Sequence, residues 1–268
     1  MHKFHPEDEA AVKSFVEDGY VVYNDIFDLE LIADIREFIL SRVPAYREGM
    51  DMYAMANGIM DELECSPLYE TWVHTANLKK MAQHYVGPDI AWIAYDTIFI
   101  NLPNDTDPVM TKGWHQDLVT GTGVDTVFAK TFFTDVDAYN GMSVIPGSHL
   151  QGLQPVRNRK PQIDLLQNGY KAVNLDTCKA GDVMVWHSLT MHATTGHSPT
   201  NTRISISSRF KSTEGPMTSQ ERALGYRSLG VGPLNHVKRY IGNDYLMPFR
   251  TMGGAVKIDK HLTNIYGG

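Results

Sequence analysis

The chain has 268 residues and is 43% hydrophobic, which is enough to bury a large core within one domain. Its 24 basic and 31 acidic residues give a net charge of −7, so a polyanion such as nucleic acid would be repelled. No segment has the roughly 18 uninterrupted apolar residues of a membrane span, and residues 1–8 lack the apolar core of a signal peptide. We therefore expect a cytoplasmic protein whose partner is neither nucleic acid nor a membrane. The sequence leaves its oligomeric state undetermined.

The first third of the chain is predicted to be mostly helical. Apolar residues at helical spacing predict a helix over residues 6–18, followed by a short β-branched and aromatic strand over residues 20–23. Asp28 can cap a second helix, which we expect to end before Pro44 because proline disrupts a helix interior. A further helix is predicted over residues 78–86, before Gly87.

Residues 45–65 lack a clean period but contain Met50, Met52, Met55 and Met60. Methionine is flexible and fills irregular spaces, so this segment could fold over a ligand or simply fill the core. We favour core filling as the simpler interpretation.

From residue 91 the pattern changes to short strands separated by Gly, Pro and Asn. The predicted strands cover residues 91–101, 125–134, 143–145, 171–175, 183–186, 190–194 and 203–210. Helices followed by many short strands predict a mainly β sandwich or jelly roll with helices packed outside. After residue 210 the pattern weakens to one short helix over residues 235–240, in a tail that could cover the mouth of the β structure.

His115 and Asp117 stand two residues apart in a predicted extended segment, so their side chains project to the same side. A histidine and a carboxylate joined by a second, distant histidine form the ligand face that holds Fe(II) and leaves other coordination positions open. Alone the pair is weak, because about one His-x-Asp match is expected by chance in this composition. His192 is the candidate third ligand, since it lies on a distant strand and shares one face of that strand with Thr190 and Thr194.

Arg203 indicates that an anion binds in the same interior. Alternation along its strand places Arg203 and Ser205 opposite Ile204 and Ile206. If the isoleucines pack outward on helices, Arg203 points inward, where an unpaired guanidinium would be costly. A small dicarboxylate that binds iron at one end and Arg203 at the other would satisfy both groups. Arg209 shares this face and could meet an acidic substrate group or a protein carboxylate.

Several motifs in one order resemble the phytanoyl-CoA dioxygenase family. They are Trp114-His115-Gln116-Asp117, Pro146-Gly147-Ser148-His149, Gly181-Asp182, and His192 followed eleven residues later by Arg203. The segment over residues 15–22 is similar to the family's first helix and strand, and the resemblance runs from about residue 5 to 210. It implies a double-stranded β-helix core, of the jelly-roll or cupin-like kind, and an Fe(II)- and 2-oxoglutarate-dependent dioxygenase that uses O2.

The resemblance also implies roles for individual residues. It assigns the iron to His115, Asp117 and His192, and the 2-oxoglutarate contacts to Arg203, Gln116, Thr194 and Asn101. Asn101 stands where the family often has a lysine, so its contact is a departure from the usual pattern. Related iron halogenases have a small residue in place of the carboxylate ligand, so Asp117 favours hydroxylation over halogenation.

Taken together, these features predict one oxygenase domain over residues 1–268, with a mostly helical part (1–90), a jelly-roll core (91–210) and a C-terminal extension (211–268). The predicted activity is hydroxylation of an unactivated C–H bond of a small-molecule metabolite, with release of succinate and CO2. Two alternatives remain open, a non-catalytic sensor that binds 2-oxoglutarate or metal, and a cupin-like hydrolase or isomerase with another divalent metal. Arg203 counts against the second alternative, because that chemistry needs no 2-oxoglutarate.

Overall fold

The computed structural model describes residues 2–47, 52–93, 96–104, 112–157, 160–194 and 196–229. The helices in this part are α1 (Ala10–Asp18), α2 (Leu29–Arg47), α3 (Met52–Glu64), α4 (Pro67–Val73), α5 (Ala76–Val86) and α6 (Ser219–Leu224). The strands are β1 (Tyr20–Tyr23), β2 (Ile90–Ile93), β3 (Thr97–Asn101), β4 (Val127–Phe132), β5 (Met142–Val144), β6 (Val156–Arg157), β7 (Lys160–Pro161), β8 (Val173–Leu175), β9 (Val183–His187), β10 (His192–Thr194), β11 (Arg203–Ser212) and β12 (Tyr226–Ser228).

The first helix and strand follow the sequence prediction closely. Helix α1 ends at Asp18 and is capped by Gly19, whose φ of 79° is left-handed, and a side chain at Gly19 would collide with the imidazole of His149. Asp28 caps the second helix, because its carboxylate accepts a hydrogen bond of 2.9 Å from the N–H of Glu30. Helix α1 begins at Ala10 rather than at Pro6.

The prediction that the second helix ends before Pro44 is wrong. Helix α2 continues through this proline to Arg47, although a proline in a helix interior costs about 3 kcal/mol. Tertiary packing accounts for the difference, since Val43 is buried in the core and Arg42 donates a hydrogen bond of 2.6 Å to Glu62 of α3.

The sequence showed no clean period over residues 45–65 and no helix was predicted there, yet most of the segment forms α3. Its buried residues recur at helical spacing, and they are Met52, Met55, Ala56, Ile59, Met60 and Leu63. Core filling is therefore confirmed for three of the four methionines, while Met50 lies outside the described residues. The following α4 was not predicted, and Ser66 caps it by accepting a hydrogen bond from the N–H of Tyr69.

Two antiparallel sheets form most of the β structure. The larger has the order β1-β9-β4-β11-β2-β12, with β3 also paired to β11, and the smaller has the order β10-β5-β8. A two-stranded hairpin, β6-β7, lies apart from them. An isolated bridge between His115 and His192 adds pairing beside the smaller sheet, and the strands of the described part form no closed barrel. The predicted mainly β architecture with flanking helices is confirmed.

The strand predictions were right in place and often too long. The run over residues 91–101 divides into β2 and β3, whereas β11 extends two residues beyond its predicted end. The short helix predicted over residues 235–240 lies outside the described residues. In the described part of the chain, no helix has both the length and the hydropathy needed to span a bilayer.

Candidate functional site

His115, Asp117 and His192 converge on one point. The backbone N–H groups of His115 and His192 each donate to the other residue's carbonyl oxygen at 3.0 Å, which brings the two rings to a centroid distance of 4.2 Å. Asp117 follows at the first position of a short 3-10 turn. One ligand atom from each of the three side chains lies within 4.8 Å of the others, so the group could hold a metal ion. The three residues that spacing and alternation selected in the sequence therefore lie together in the structure, and their role as metal ligands stays a prediction.

Hydrogen bonds behind these side chains fix their orientation. The Nδ1 atoms of His115 and His192 lie 2.7 and 2.9 Å from the carbonyl oxygens of Gly113 and Thr190. Because a carbonyl oxygen can only accept, each ring donates from Nδ1 and turns the lone pair of Nε2 toward the centre. The indole N–H of Trp186 donates to Oδ2 of Asp117 at 2.9 Å. All three ligand atoms are therefore held in place by neighbouring groups.

Electrostatics keeps the three groups in the protonation states that a cation requires. Burial lowers the pKa of His192 to about 3 and also lowers the pKa of His115. Burial alone would raise the pKa of Asp117, but the two neighbouring histidines and the Trp186 hydrogen bond outweigh it and hold that pKa below its usual value. At neutral pH the site offers two neutral imidazoles and one carboxylate, which is a donor set that suits Fe(II).

Arg203 lies on the inward face of β11 and is fully buried. Its terminal nitrogens donate to the carbonyl oxygens of Asn140 and Gly141 at 2.5 and 3.1 Å, and to Oδ1 of Asn101 at 2.5 Å. Burial lowers the pKa of the guanidinium to about 10, so it remains charged at neutral pH. Among the described residues its Nε has no hydrogen-bond partner and its charge has no carboxylate. Within the described part of the chain, the charge of Arg203 is therefore available to an anion.

Lys130 is a candidate functional residue that the sequence reasoning missed. It lies in the middle of β4, pairs with Ser207 of β11, and is 3% exposed. Its Nζ lies 4.2 Å from the centre of the Phe99 ring, and no described residue forms a hydrogen bond or ion pair with it. Burial lowers the pKa of this ammonium well below its usual value, and the charge of Arg203 lowers it further. A lysine inside the apolar run over residues 127–132 was the available signal.

The other predicted co-substrate residues have varied surroundings. The amide of Gln116 bonds to the carbonyls of Gly152 and Leu189 at 3.0 and 2.7 Å, and accepts from the N–H of Gln154 at 2.8 Å. It therefore anchors a loop beside the metal ligands. Thr194 is buried two residues beyond His192, and Asn101 supports Arg203. Contacts of these three residues with 2-oxoglutarate stay predictions.

Arg209 lies farther along the inward face of β11, at 9% exposure. Its guanidinium carbon is 5.3 Å from the centre of the Phe128 ring. The stacking accounts for part of its burial. Whether it also meets an acidic group of a substrate stays a prediction.

Comparison with known proteins places this geometry in context. The model of the phytanoyl-CoA dioxygenase (PhyH) family matches residues 15–205. No protein with a curated description matches the chain.

Several solved structures share the fold. The non-heme monooxygenase ThoJ, in its apo form, has 17% sequence identity and a TM-score of 0.67, with 96% of this chain and 99% of that chain covered. The epimerase SnoN, in complex with Fe3+, alpha-ketoglutarate and nogalamycin RO, has 18% identity, a TM-score of 0.62 and coverage of 76% and 83%. EctD from S. alaskensis, with 2-oxoglutarate and 5-hydroxyectoine, has 19% identity, a TM-score of 0.61 and coverage of 80% and 79%. The predicted jelly-roll core is confirmed by these likenesses.

Proposed function

The chain belongs to the phytanoyl-CoA dioxygenase family, and from this membership we propose that it is an Fe(II)- and 2-oxoglutarate-dependent dioxygenase that hydroxylates an unactivated C–H bond of a small-molecule metabolite. The observation that carries the proposal is the convergence of His115, Asp117 and His192 within 4.8 Å. Arg203, buried without a carboxylate partner among the described residues, supports it as the partner of a dicarboxylic co-substrate.

In this proposal, His115, Asp117 and His192 would hold Fe(II), and 2-oxoglutarate and O2 would bind beside them. When bound, these groups supply the oxidising chemistry, in which one oxygen atom enters the C–H bond and the other enters succinate as CO2 is released. The chain contributes position and charge. Trp186 orients the carboxylate of Asp117, and Arg203 orients the far end of the co-substrate.

Hydroxylation is the proposed outcome because Asp117 retains the carboxylate that related halogenases lack. Enzymes with this fold also include an epimerase, SnoN, and a carbocyclase, SnoK. The product of the first active substrate therefore distinguishes among these reactions. A hydroxylated product gains the mass of one oxygen atom, whereas epimerisation leaves the mass unchanged and ring formation lowers it by two hydrogen atoms.

Anaerobic titration is the first test of this function. We expect one Fe(II) and one 2-oxoglutarate to bind per chain, followed by succinate formation that requires O2. Replacing His192 with Ala removes a ligand, so metal affinity should fall by more than about a hundredfold, beyond the loss typical of a supporting residue. His74→Ala is the matched control, because His74 is a half-exposed residue directly after α4 that faces Glu70 rather than the site.

The outcomes separate the alternatives. If His192→Ala binds metal and 2-oxoglutarate like the unmodified protein, the site is misassigned. Binding of both groups without O2-dependent succinate, even uncoupled, would identify a sensor. Turnover that needs a divalent metal but neither O2 nor 2-oxoglutarate would identify a hydrolase or isomerase. A succinate-release screen over acyl-CoA, amino-acid, phosphonate and natural-product classes would then find the substrate.

A further inference from the structure

Lys130 reaches the part of the interior that Arg203 occupies. Phe99 of β3 pairs with Ser205 of β11, which is two residues from Arg203 on the same strand face. Lys130 pairs with Ser207, one step farther, and its ammonium lies over the Phe99 ring at 4.2 Å from the ring centre. The side chain therefore leans from its own register position toward Arg203. The two cations share one interior region.

Three of the five N–H groups of Arg203 already donate to described residues, so two are left for a ligand. Both terminal nitrogens already donate to Asn140, Gly141 and Asn101, which are neutral acceptors. Among the described residues, Nε–H has no partner, and neither has the second N–H of the terminal nitrogen that donates to Asn101. A carboxylate bound bidentately by two terminal nitrogens would have to break these bonds. A carboxylate that reaches Nε from one side still has lone pairs to satisfy, so a second donor nearby would complete its binding.

Lys130 is such a donor, and its burial is otherwise unexplained. A buried ammonium is costly without an anion or a full set of acceptors. The aromatic face of Phe99 offers a weak attraction, and an apolar residue of the same length would pack there at lower cost. Among the described residues, only Asp117 balances the two buried cations in this region, which favours a ligand with two negative charges, and the charge of a bound divalent metal increases that preference.

We propose that Lys130 binds the distal carboxylate of 2-oxoglutarate together with Arg203, and that this second cation makes the pocket select a 2-oxo dicarboxylic acid over a 2-oxo monocarboxylic acid. The inference rests on the proposed function, because it assumes that the co-substrate binds at the triad. It adds a specificity-determining residue from β4 that neither the motifs nor the family match points out.

The test compares two ligands on one variant. In the anaerobic Fe(II)-loaded protein, dissociation constants are measured by calorimetry or charge-transfer absorption for 2-oxoglutarate and for 2-oxovalerate, which has a methyl group in place of the distal carboxylate. In Lys130→Met, we expect 2-oxoglutarate to bind about ten- to a hundredfold more weakly, as for loss of a hydrogen bond between charged groups. Binding of 2-oxovalerate should stay within about threefold, because it has no distal carboxylate to lose.

Lys112→Met is the matched control. Its ammonium lies 5.6 Å from the centre of the same Phe99 ring but on an exposed residue, so screening by water should keep the change within about threefold. Thermal unfolding without ligand checks the fold, and Lys130→Met should not unfold at a lower temperature, since it removes a buried unpaired charge. If that variant does not fold, Lys130→Gln takes its place with the same expectations for both acids.

Each contrary result has a distinct meaning. If the unmodified Fe(II)-loaded protein does not bind 2-oxoglutarate, the proposed function fails. If it binds and Lys130→Met has an unchanged dissociation constant, the role of Lys130 is wrong while the proposed function stands. The proposed role of Lys130 would also be wrong if Lys130→Met lost affinity equally for both acids, or if Lys112→Met had the same effect. Neither result would indicate contact with the distal carboxylate.

Discussion

On one face of β11, Ile204, Ile206 and Phe210 are completely buried in the apolar core that the helices share, and on the other face Arg203 and Ser205 are just as buried. Burial has opposite effects on the stability of the fold at the two faces. Removing the isoleucines from water stabilises the fold, whereas burying a guanidinium and a hydroxyl with unpaired atoms costs free energy. Neighbouring side chains of β11 therefore differ in role, because the outward ones stabilise the fold and the inward Arg203 is the one that we propose to bind the co-substrate.

The largest effect should come from the helix-facing side. Ile206→Ala leaves a cavity in a fully buried position, so we expect the free energy of unfolding to fall by about 2–5 kcal/mol in urea denaturation. Ile206→Val, the conservative control, should cost about 0.5–1.5 kcal/mol. In the folded fraction, Fe(II) affinity should change less than about threefold, because the side chain points away from the ligands. A metal affinity that falls in step with stability would mean that the two faces are not separable.

A smaller effect is expected where the larger sheet supports the metal ligands. Trp186→Phe keeps the aromatic packing on Phe128 but removes the hydrogen bond to Asp117. Loss of such a supporting bond should lower Fe(II) affinity by about ten- to a hundredfold, measured by anaerobic titration.

Trp92 provides the matched control for this change. Its indole N–H donates to a different buried carboxylate, Asp96, at 3.2 Å, so Trp92→Phe loses a similar bond outside the triad. Its effect should fall on stability and leave Fe(II) affinity unchanged. Similar metal affinities in the two variants would show that Trp186 matters for packing alone.

The difference between the faces also explains what could be predicted from the sequence. Alternation is a local rule, and it correctly opposed Arg203 to Ile204, while the spacing of His115 and Asp117 identified two of the three side chains that converge in the structure. The same rule applied to Lys130 would have placed it inside. Lys130 was not predicted as a site residue, because a single lysine in a mostly apolar strand does not by itself indicate a binding site.

Other features depend on contacts that no local rule contains. Helix α2 continues through Pro44 because it packs on α3, and this tertiary contact cannot be read from the local sequence. The seven residues of α4 are too few to show a helical period. The anchoring role of Gln116 requires a loop more than 30 residues away in sequence, so it could be found only once the chain was folded.

The smallest change in stability should come from Ser205, because the variant removes a single oxygen atom from the inward face of β11. Its Oγ is buried and has no hydrogen-bond partner among the described residues. Ser205→Ala removes that unpaired group, so the free energy of unfolding should stay the same or rise by up to about 1 kcal/mol. Ser143→Ala, at a buried serine that donates to Asn174 at 2.7 Å, should instead lose about 1 kcal/mol. Chemical denaturation of both variants decides the matter. An equal loss in the two would mean that the inward hydroxyl is already satisfied by the protein, and that this face of β11 is less dependent on a ligand than its unpaired atoms indicate.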